Sequence, residues 1–351
     1  MIKRRKTREL EIGGLKIGGN SPISVQSMTN TDTRDSEATI KQIKQLEDAG
    51  CDIVRIAIPD INSANNIPEI KRLTTIPIIA DIHFDYRLAL QSVKNGIDAL
   101  RINPGNIGGH ERVKKVVSAA KEAKIPIRIG VNSGSLEKDL EQEYGISAKA
   151  ITESALRQIK LFEKLGFYDI KISLKSSSVP LTIESYRKMA SLVDYPFHLG
   201  ITEAGTKFSG TIKSAIGIGT LLSEGIGDTI RVSLTDNPVE EVKVGIEILK
   251  SLGLRKGPTI ISCPTCGRTE IDVIGIAKKV ESEINKLKIK QNLTIAIMGC
   301  VVNGPGEAEE ADIGIAGGKN QSLLFRKGKR LKTIQEKNIV EELIKEIKKD
   351  F

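Results

Sequence analysis

Tryptophan is absent from this sequence and aromatic residues make up only 3% of it. Proteins that hold single-stranded nucleic acid stack bases on aromatic side chains, so the composition argues against that class despite a net charge of +9. No run approaches the roughly 18 apolar residues of a membrane span, and the basic opening MIKRRKTRELEIGG has no apolar stretch behind it. The expectation is a cytoplasmic protein that does not engage a membrane. Cysteine occurs four times, and without an export signal so few thiols point to metal or redox chemistry rather than a disulfide framework. Cys51 stands alone, while Cys263, Cys266 and Cys300 belong to the last third. The three histidines, His83, His110 and His198, carry little information, because a lone histidine beside a strand is usually a hydrogen-bonded structural residue.

What is present is ordinary for a globular protein: 39% hydrophobic and 28% charged residues in 351. That length suits one domain of barrel size followed by a smaller one. The positive balance fits an anionic ligand or an acidic partner protein.

From about residue 22 to residue 251, short β-branched runs alternate with longer amphipathic stretches, the pattern of successive βα units. Strands are expected at Ile23–Gln26, Ile53–Ile58, Ile78–His83, Ala99–Asn103, Ile127–Asn132, Ile170–Lys175, His198–Glu203 and Thr229–Leu234. Helices are expected at Ser36–Ala49, Glu111–Lys124, Lys149–Leu165 and Val239–Leu252, with Gly50, Gly96, Gly166 and Gly225 as helix-ending glycines. Eight such units in about 230 residues predict a TIM (β/α)8 barrel. Ahead of them, Leu10–Ile12 and Leu15–Ile17 around Gly13 and Gly14 read as a hairpin closing the barrel bottom. The barrel is expected to span residues 1–252, a linker 253–258, and a small α/β cluster domain 259–351. In the last, the pattern predicts a strand at Thr259–Ile261, a helix at Asp272–Leu287, a run at Thr294–Met298, a glycine-rich loop and a final helix over Thr333–Lys349.

Barrel enzymes work at the carboxyl-terminal ends of their strands. Within each expected strand or just after it, the sequence sets Gln26, Arg55, Asp81, His83, Arg101, Asn103, Arg128, Asn132, Lys175, Glu203, Arg231 and Ser233. Arg55, Arg101, Arg128, Lys175 and Arg231 are cationic, and cations on one rim repel unless an anion joins them. A diphosphate, which guanidinium groups grip bidentately, is the expected ligand. Glu203, in LGITEAG, stands among them as a candidate proton donor.

In the small domain, the spacing of Cys263 and Cys266 alone is compatible with zinc, a redox disulfide or an iron-sulfur site. Cys300, in IMGCVVNGPGE, favours a metal site, because its glycines allow close backbone approach to a cofactor. Cys51 is misplaced for it, at the start of the second strand and so at the opposite end of the barrel. Glu307, seven positions after Cys300, can fold back as a fourth ligand. A carboxylate would leave a harder, labile iron suited to acting on substrate.

With SPISVQSMTNTDT, RIGVNSGSL, ISCPTCGRTEID, MGCVVNGPGEA and ADIGIAGG spread over essentially its whole length, the chain resembles the 4-hydroxy-3-methylbut-2-enyl diphosphate synthase family, in its compact two-domain bacterial form. The resemblance implies the substrate 2-C-methyl-D-erythritol 2,4-cyclodiphosphate, opened and dehydrated reductively on the methylerythritol phosphate route to isoprenoids. It implies a 4Fe-4S cluster held by Cys263, Cys266, Cys300 and Glu307. Diphosphate contacts are implied for Arg55, Arg101, Arg128, Lys175, Arg231 and Ser233, and places near the reacting carbons for Asn132, Glu203 and Asn303. Flavodoxin or ferredoxin would supply electrons, and the basic tract from Lys319 to Lys349 is a candidate docking face. A homodimer with each site shared between chains is expected on the resemblance and on reach. The linker spans at most about 20 Å, whereas a helix of about 14 residues is already about 21 Å long. Two other readings compete. A zinc-dependent phosphate-binding lyase leaves Glu307 idle, and an RNA-binding zinc knuckle predicts aromatic residues beside the cysteines, where none occur.

Overall fold

A computed structural model describes residues 2–302 and 304–349. The chain divides between Arg255 and Lys256 into two compact units. The first opens with an antiparallel hairpin, β1 (Glu9–Ile12) and β2 (Leu15–Gly18), turning at Gly13 and Gly14 with φ of 54° and 86°. Eight parallel strands follow: β3 (Ser24–Met28), β4 (Ile53–Ala57), β5 (Ile78–Asp81), β6 (Ala99–Ile102), β7 (Ile127–Asn132), β8 (Ile170–Lys175), β9 (His198–Leu199) and β10 (Thr229–Ile230). They pair in the order β8-β7-β6-β5-β4-β3-β10-β9, and a parallel bridge between Ile172 and Phe197 closes the ring. The hairpin buries Leu10, Ile12 and Ile17 against Ile53, Ile79 and Ala99, all at the starts of barrel strands, and so plugs the bottom.

Alternation along the strands sets the division of labour. In β8, Ile170, Ile172 and Leu174 join the main hydrophobic core, leaving Lys171, Ser173 and Lys175 for the barrel interior. The expected helices form at Ser36–Asp48, His110–Glu122, Ala148–Lys164 and Pro238–Ser251. Gly50, Gly96, Gly166 and Gly225 follow helix ends with φ between 67° and 92°, a conformation that favours glycine. Two strands are shorter than expected: β9 stops at Leu199 and β10 at Ile230. Beyond β9, Glu203 takes φ 52°, which no ladder accommodates.

The second unit is a five-stranded sheet. β11 (Pro258–Ser262), β12 (Leu293–Met298) and β13 (Ile313–Gly318) run parallel, and β14 (Gln321–Arg326) and β15 (Lys329–Gln335) add an antiparallel meander. Ile295, Ile297, Ile313 and Ile315 pack on one face with Val280, Ile284 and Leu343, from helices Val273–Leu287 and Ile339–Ile347. Ala296, Met298, Ala316 and Phe325 form a thinner core on the other face.

The final helix is correspondingly shorter than the Thr333–Lys349 expected, because Thr333 to Gln335 complete β15. Two tight turns make the meander. Asn320 has φ 60°, and Lys327 and Gly328 have φ of 46° and 73°, the paired positive values of a two-residue hairpin loop. The expected glycine loop also carries a short helix, Gly304–Glu310. The expected linker is shorter too, since Arg255 bonds Asp52 of the barrel at 2.7 Å and Pro258 already begins β11.

Candidate active site

The barrel interior concentrates positive charge. Arg55, Arg101, Arg128, Lys171 and Lys175 are all buried, and Arg231 is half-buried beside them. Two carboxylates pair with members of this group, and a third, Asp228 facing Lys171, is already engaged by Arg4. Asp81 on β5 lies 3.1 Å from Arg101 Nη1 and 3.5 Å from Arg55 Nε. Glu241, on helix Pro238–Ser251, lies 3.6 Å from Arg231 and accepts from Ser27 Oγ at 3.0 Å and from the Leu234 amide at 3.0 Å. Burial would push the Asp81 carboxyl up, but Arg55, Arg101, His83 and Arg128 outweigh it and hold the pKa at about 2, so Asp81 is an anion at every working pH.

The excess charge leaves its mark on the rest. Burial, then repulsion from Arg55 and Arg101, pushes Arg128 well below its ordinary value. Arg55 is pushed down to about 10, by burial first, with Asp81 opposing. Guanidinium groups stay protonated under such pressure, so burial first, and crowding by like charges second, make an anionic counterion favourable here. Buried donors tell the same story: among the described residues, Arg101 Nε, Arg128 Nε, Arg231 Nε, Lys171 Nζ and Gln26 Nε2 have no hydrogen-bond partner. Buried donors left unpaired cost about 1–3 kcal/mol each, and a polyanion with several acceptor oxygens would satisfy them together.

Small residues make room for this cluster. A Cβ on Gly200 would stand 2.6 Å from Lys175 Nζ and 2.5 Å from the Arg231 carbonyl, and one on Gly130 would stand 3.1 Å from Arg101 Nε. Lys175 reaches His198 Nε2 at 3.3 Å, and Arg128 donates to Ser173 Oγ at 3.0 Å. At the rim, Asn132 ends β7 in register with Lys175, and Ser233 follows Arg231, half-buried. Asn103 is buried and caps the turn after β6 through Gly105. Glu203 is exposed on the loop after β9. The expected cations thus gather inside one barrel, although Arg128, second in β7 and level with Lys171, lies below the rim rather than on it, and sequence reasoning missed Lys171, Glu241 and the part His198 plays. The alternation Lys171, Ser173, Lys175 in β8 was the available signal for the first. Glu241 lies on a helix, where no strand-end rule reaches it.

In the second unit, β11 and β12 run parallel with Ser262 opposite Ile297, so Cys263 and Cys300 leave neighbouring strand ends on the same side. The Cys263 sulfur accepts the Gly299 amide at 3.2 Å, the kind of N–H to sulfur contact that stabilises cluster thiolates. Cys266 is exposed in the intervening loop, which is pinned by the Glu270 amide on the Gly299 carbonyl. Glu307 is exposed on Gly304–Glu310, and Asn303 lies outside the described residues. Among the described residues no three Cys, His, Asp or Glu side chains converge closely enough to hold a metal ion. Thiols have no attraction for one another until a cation joins them. The donor chemistry nonetheless fits an iron-sulfur cluster: three thiols at one end of a sheet, one of them already hydrogen-bonded by backbone. Cys51, by contrast, is buried and donates to the Ile53 carbonyl, and burial pushes its thiol up to about 12, which makes it inert.

Comparison with known proteins agrees with this division. Residues 7–246 match the GcpE TIM-barrel domain, and residues 259–349 match the GcpE protein C-terminal domain. The chain is 64% identical to the 4-hydroxy-3-methylbut-2-en-1-yl diphosphate synthase (flavodoxin) of Caldanaerobacter subterraneus subsp. tengcongensis, over 99% of each chain. It is 62% identical to the protein of the same name from Fusobacterium nucleatum, over 99% of this chain and 98% of that one. Among solved structures it resembles a dihydropteroate synthase from Xanthomonas albilineans, with a TM-score of 0.51 at 12% identity, over 70% of this chain and 97% of that one. That likeness concerns the barrel fold alone. No helix among the described residues is long and apolar enough to cross a membrane.

Proposed function

This chain belongs to the GcpE family, and from that premise we propose that it opens the ring of 2-C-methyl-D-erythritol 2,4-cyclodiphosphate reductively and dehydrates it to 4-hydroxy-3-methylbut-2-enyl diphosphate for isoprenoid synthesis. The observation that carries this reading is the barrel interior, where six cations outnumber the carboxylates Asp81, Glu241 and the Arg4-bound Asp228, and several buried donors lack partners among the described residues. Arg55, Arg101, Arg128, Lys175, Arg231 and Ser233 would bind the diphosphate. The reaction fits that charge. The cyclic substrate carries two negative charges and the opened product three, with two electrons and one proton consumed and one water released. The cations therefore meet more charge after carbon–oxygen cleavage than before it, and stabilise the transition state more than the bound substrate.

The single proton must reach the departing hydroxyl oxygen so that it leaves as water. Glu203 is the nearest acid in chain order to the end of β9, on the loop at the carboxyl-terminal end of the barrel strands, with φ 52°. We assign it that proton. Asn132, in register with Lys175, would orient the substrate's hydroxyl groups, and Asn303 is assigned the same task from the cluster side. A 4Fe-4S cluster held by Cys263, Cys266, Cys300 and Glu307 would supply the two electrons and a Lewis-acidic iron for oxygen. A flavodoxin is the proposed donor, in keeping with the relatives' printed names; in the basic tract from Lys319 to Lys349, Lys332 and Lys349 are already paired with Glu342 and Glu346. The thiol pattern supports a reducing cytoplasm as its compartment. A homodimer with shared sites is proposed from the short connector, since only Lys256 and Gly257 separate the barrel-bound Arg255 from β11.

The test is anaerobic purification with iron and sulfide analysis, followed by turnover of the cyclic diphosphate with reduced flavodoxin. Wild type and Cys51→Ser should contain about four irons per chain and form the open diphosphate. Cys263→Ser, Cys266→Ser and Cys300→Ser should lose most of the iron. A colourless, zinc-loaded wild-type protein would reject the reading.

A further inference from the structure

Below the rim, the barrel holds basic groups that form no ion pair with a carboxylate among the described residues. Lys171, one inward step from Ser173 and two from Lys175 along β8, is 2% exposed, and its Nζ has no hydrogen-bond partner among the described residues. Across the ladder it stands in register with Arg128 on β7. The carboxylate facing it, Asp228 ahead of β10, is already engaged by Arg4 at 2.8 Å and by the Phe197 amide at 2.8 Å. His198, at the start of β9, places Nε2 3.3 Å from Lys175 Nζ and leaves Nδ1 unpartnered. The charges acting on His198 are Lys175, Arg128, Lys171 and Arg55. Those acting on Lys175 are Arg128, Arg231, Arg55 and Arg101. Tyr186, from the helix Val179–Ala190, is occupied by the His198 carbonyl at 2.5 Å and the Leu174 amide at 2.9 Å. Asp81 and Glu241 are committed to Arg55, Arg101 and Arg231.

We propose that Lys171, His198 and Lys175 form a proton-accepting floor beneath the diphosphate site, which takes up a proton from solvent when the dianionic cyclic diphosphate binds. The inference rests on the diphosphate reading of the rim. In the substrate-free barrel, adding a further positive charge to this cluster is costly. Burial, and then Arg128, pushes Lys171 down to about 7; burial and the surrounding cations push Lys175 and His198 well below their ordinary values. A dianion among the guanidinium groups reverses the local potential and favours the charged form of each. Lys171 and His198 thereby become positioning residues. They match the charge of the floor to that of the ligand and keep Lys175 aimed at the rim, and they favour a diphosphate over a singly charged phosphodiester.

Calorimetric titration of the oxidised holoenzyme with the cyclic diphosphate, anaerobically and without reductant, tests this directly. Both phosphates of the substrate are strong-acid diesters, so protons exchanged near neutral pH belong to the protein. At about pH 8, between the shifted and ordinary lysine values, the observed heat should vary with the ionisation enthalpy of the buffer, with a slope of about one proton taken up. Affinity should fall by up to about tenfold per pH unit above that point. Lys171→Met should bind the substrate with at least half of this slope lost, and His198→Asn should lose part of it. Binding of wild type with heat independent of buffer overturns the proposal, as does an undiminished slope in both variants. Should a variant fail to fold, the wild-type slope decides alone. No binding of the cyclic diphosphate by wild type would instead reject the diphosphate reading, a result distinct from binding without proton uptake.

Discussion

Glu203 combines exposure, position after β9 and a left-handed backbone, and these predict separable effects. Glu203→Gln should fold and bind the cyclic diphosphate but turn over about 100-fold more slowly, the loss expected for a missing general acid. Glu203→Gly should be equally slow yet gain stability, because glycine takes a positive φ without steric cost. Near wild-type turnover in the Gln variant would make Glu203 structural.

Lys171 predicts an unusual pH dependence. Its pKa falls from 10.5 in the unfolded chain to about 7 in the fold. Between those values the unfolded chain holds a proton that the folded chain has shed, so stability rises with pH across that window. Lys175 acts in the same direction. Cys51, raised from 9.0 to about 12, opposes the trend above pH 9, because the unfolded thiol ionises while the folded one does not. The substrate-free protein should therefore melt higher at about pH 8.5 than at about pH 7. Lys171→Met should raise the Tm at about pH 7 and flatten the increase, since replacing an unpaired buried charge with an apolar side chain stabilises. A lower Tm for the variant at that pH would contradict the assignment.

At the scale of elements, the β1–β2 hairpin is part of the core, sealing the bottom of the barrel far from the chemistry. Ile12 is 1% exposed and packs with Ile53, Ile79 and Ala99. Ile12→Ala should cost about 2–5 kcal/mol in urea unfolding, while leaving the KM for the cyclic diphosphate unchanged in the folded fraction. A raised KM with unaltered stability would show that the plug communicates with the mouth. In the second unit, β13 pairs with β12 and is itself paired with β14, so the loops that carry Cys263, Cys266 and Cys300 leave strands held within a five-stranded sheet.

At the scale of the whole molecule, the connector makes a shared site testable. With Arg255 tied to Asp52, Lys256 and Gly257 span at most about 10 Å. Glu203→Ala and Cys263→Ser should each be inactive alone. Co-expressed as heterodimers, they should recover activity, because one of the two sites then joins an intact barrel to an intact cluster unit. Purified heterodimers that stay inactive, while both parents fold and dimerise, would place each site within one chain.

Periodicity alone was enough to read eight βα units, the hairpin and the helix-ending glycines, because side-chain alternation and positive φ are local properties that residue types report directly. The barrel cations Arg55, Arg101, Arg128, Lys175 and Arg231 were legible as a group for the same reason, since strands can be counted and barrel geometry says which end is functional; the low position of Arg128, level with Lys171, was not. The meander after β13 was hidden because dense lysine reads as a solvated helix face, although the turns at Asn320 and Gly328 were present in the sequence. Tertiary structure alone decided how the charges are balanced. Glu241 reaches Arg231 from a helix, Asp228 is used up by Arg4, and Lys171 is left without a partner. Charge balance depends on distances between residues far apart in the chain, and on the water that burial removes, neither of which local sequence encodes.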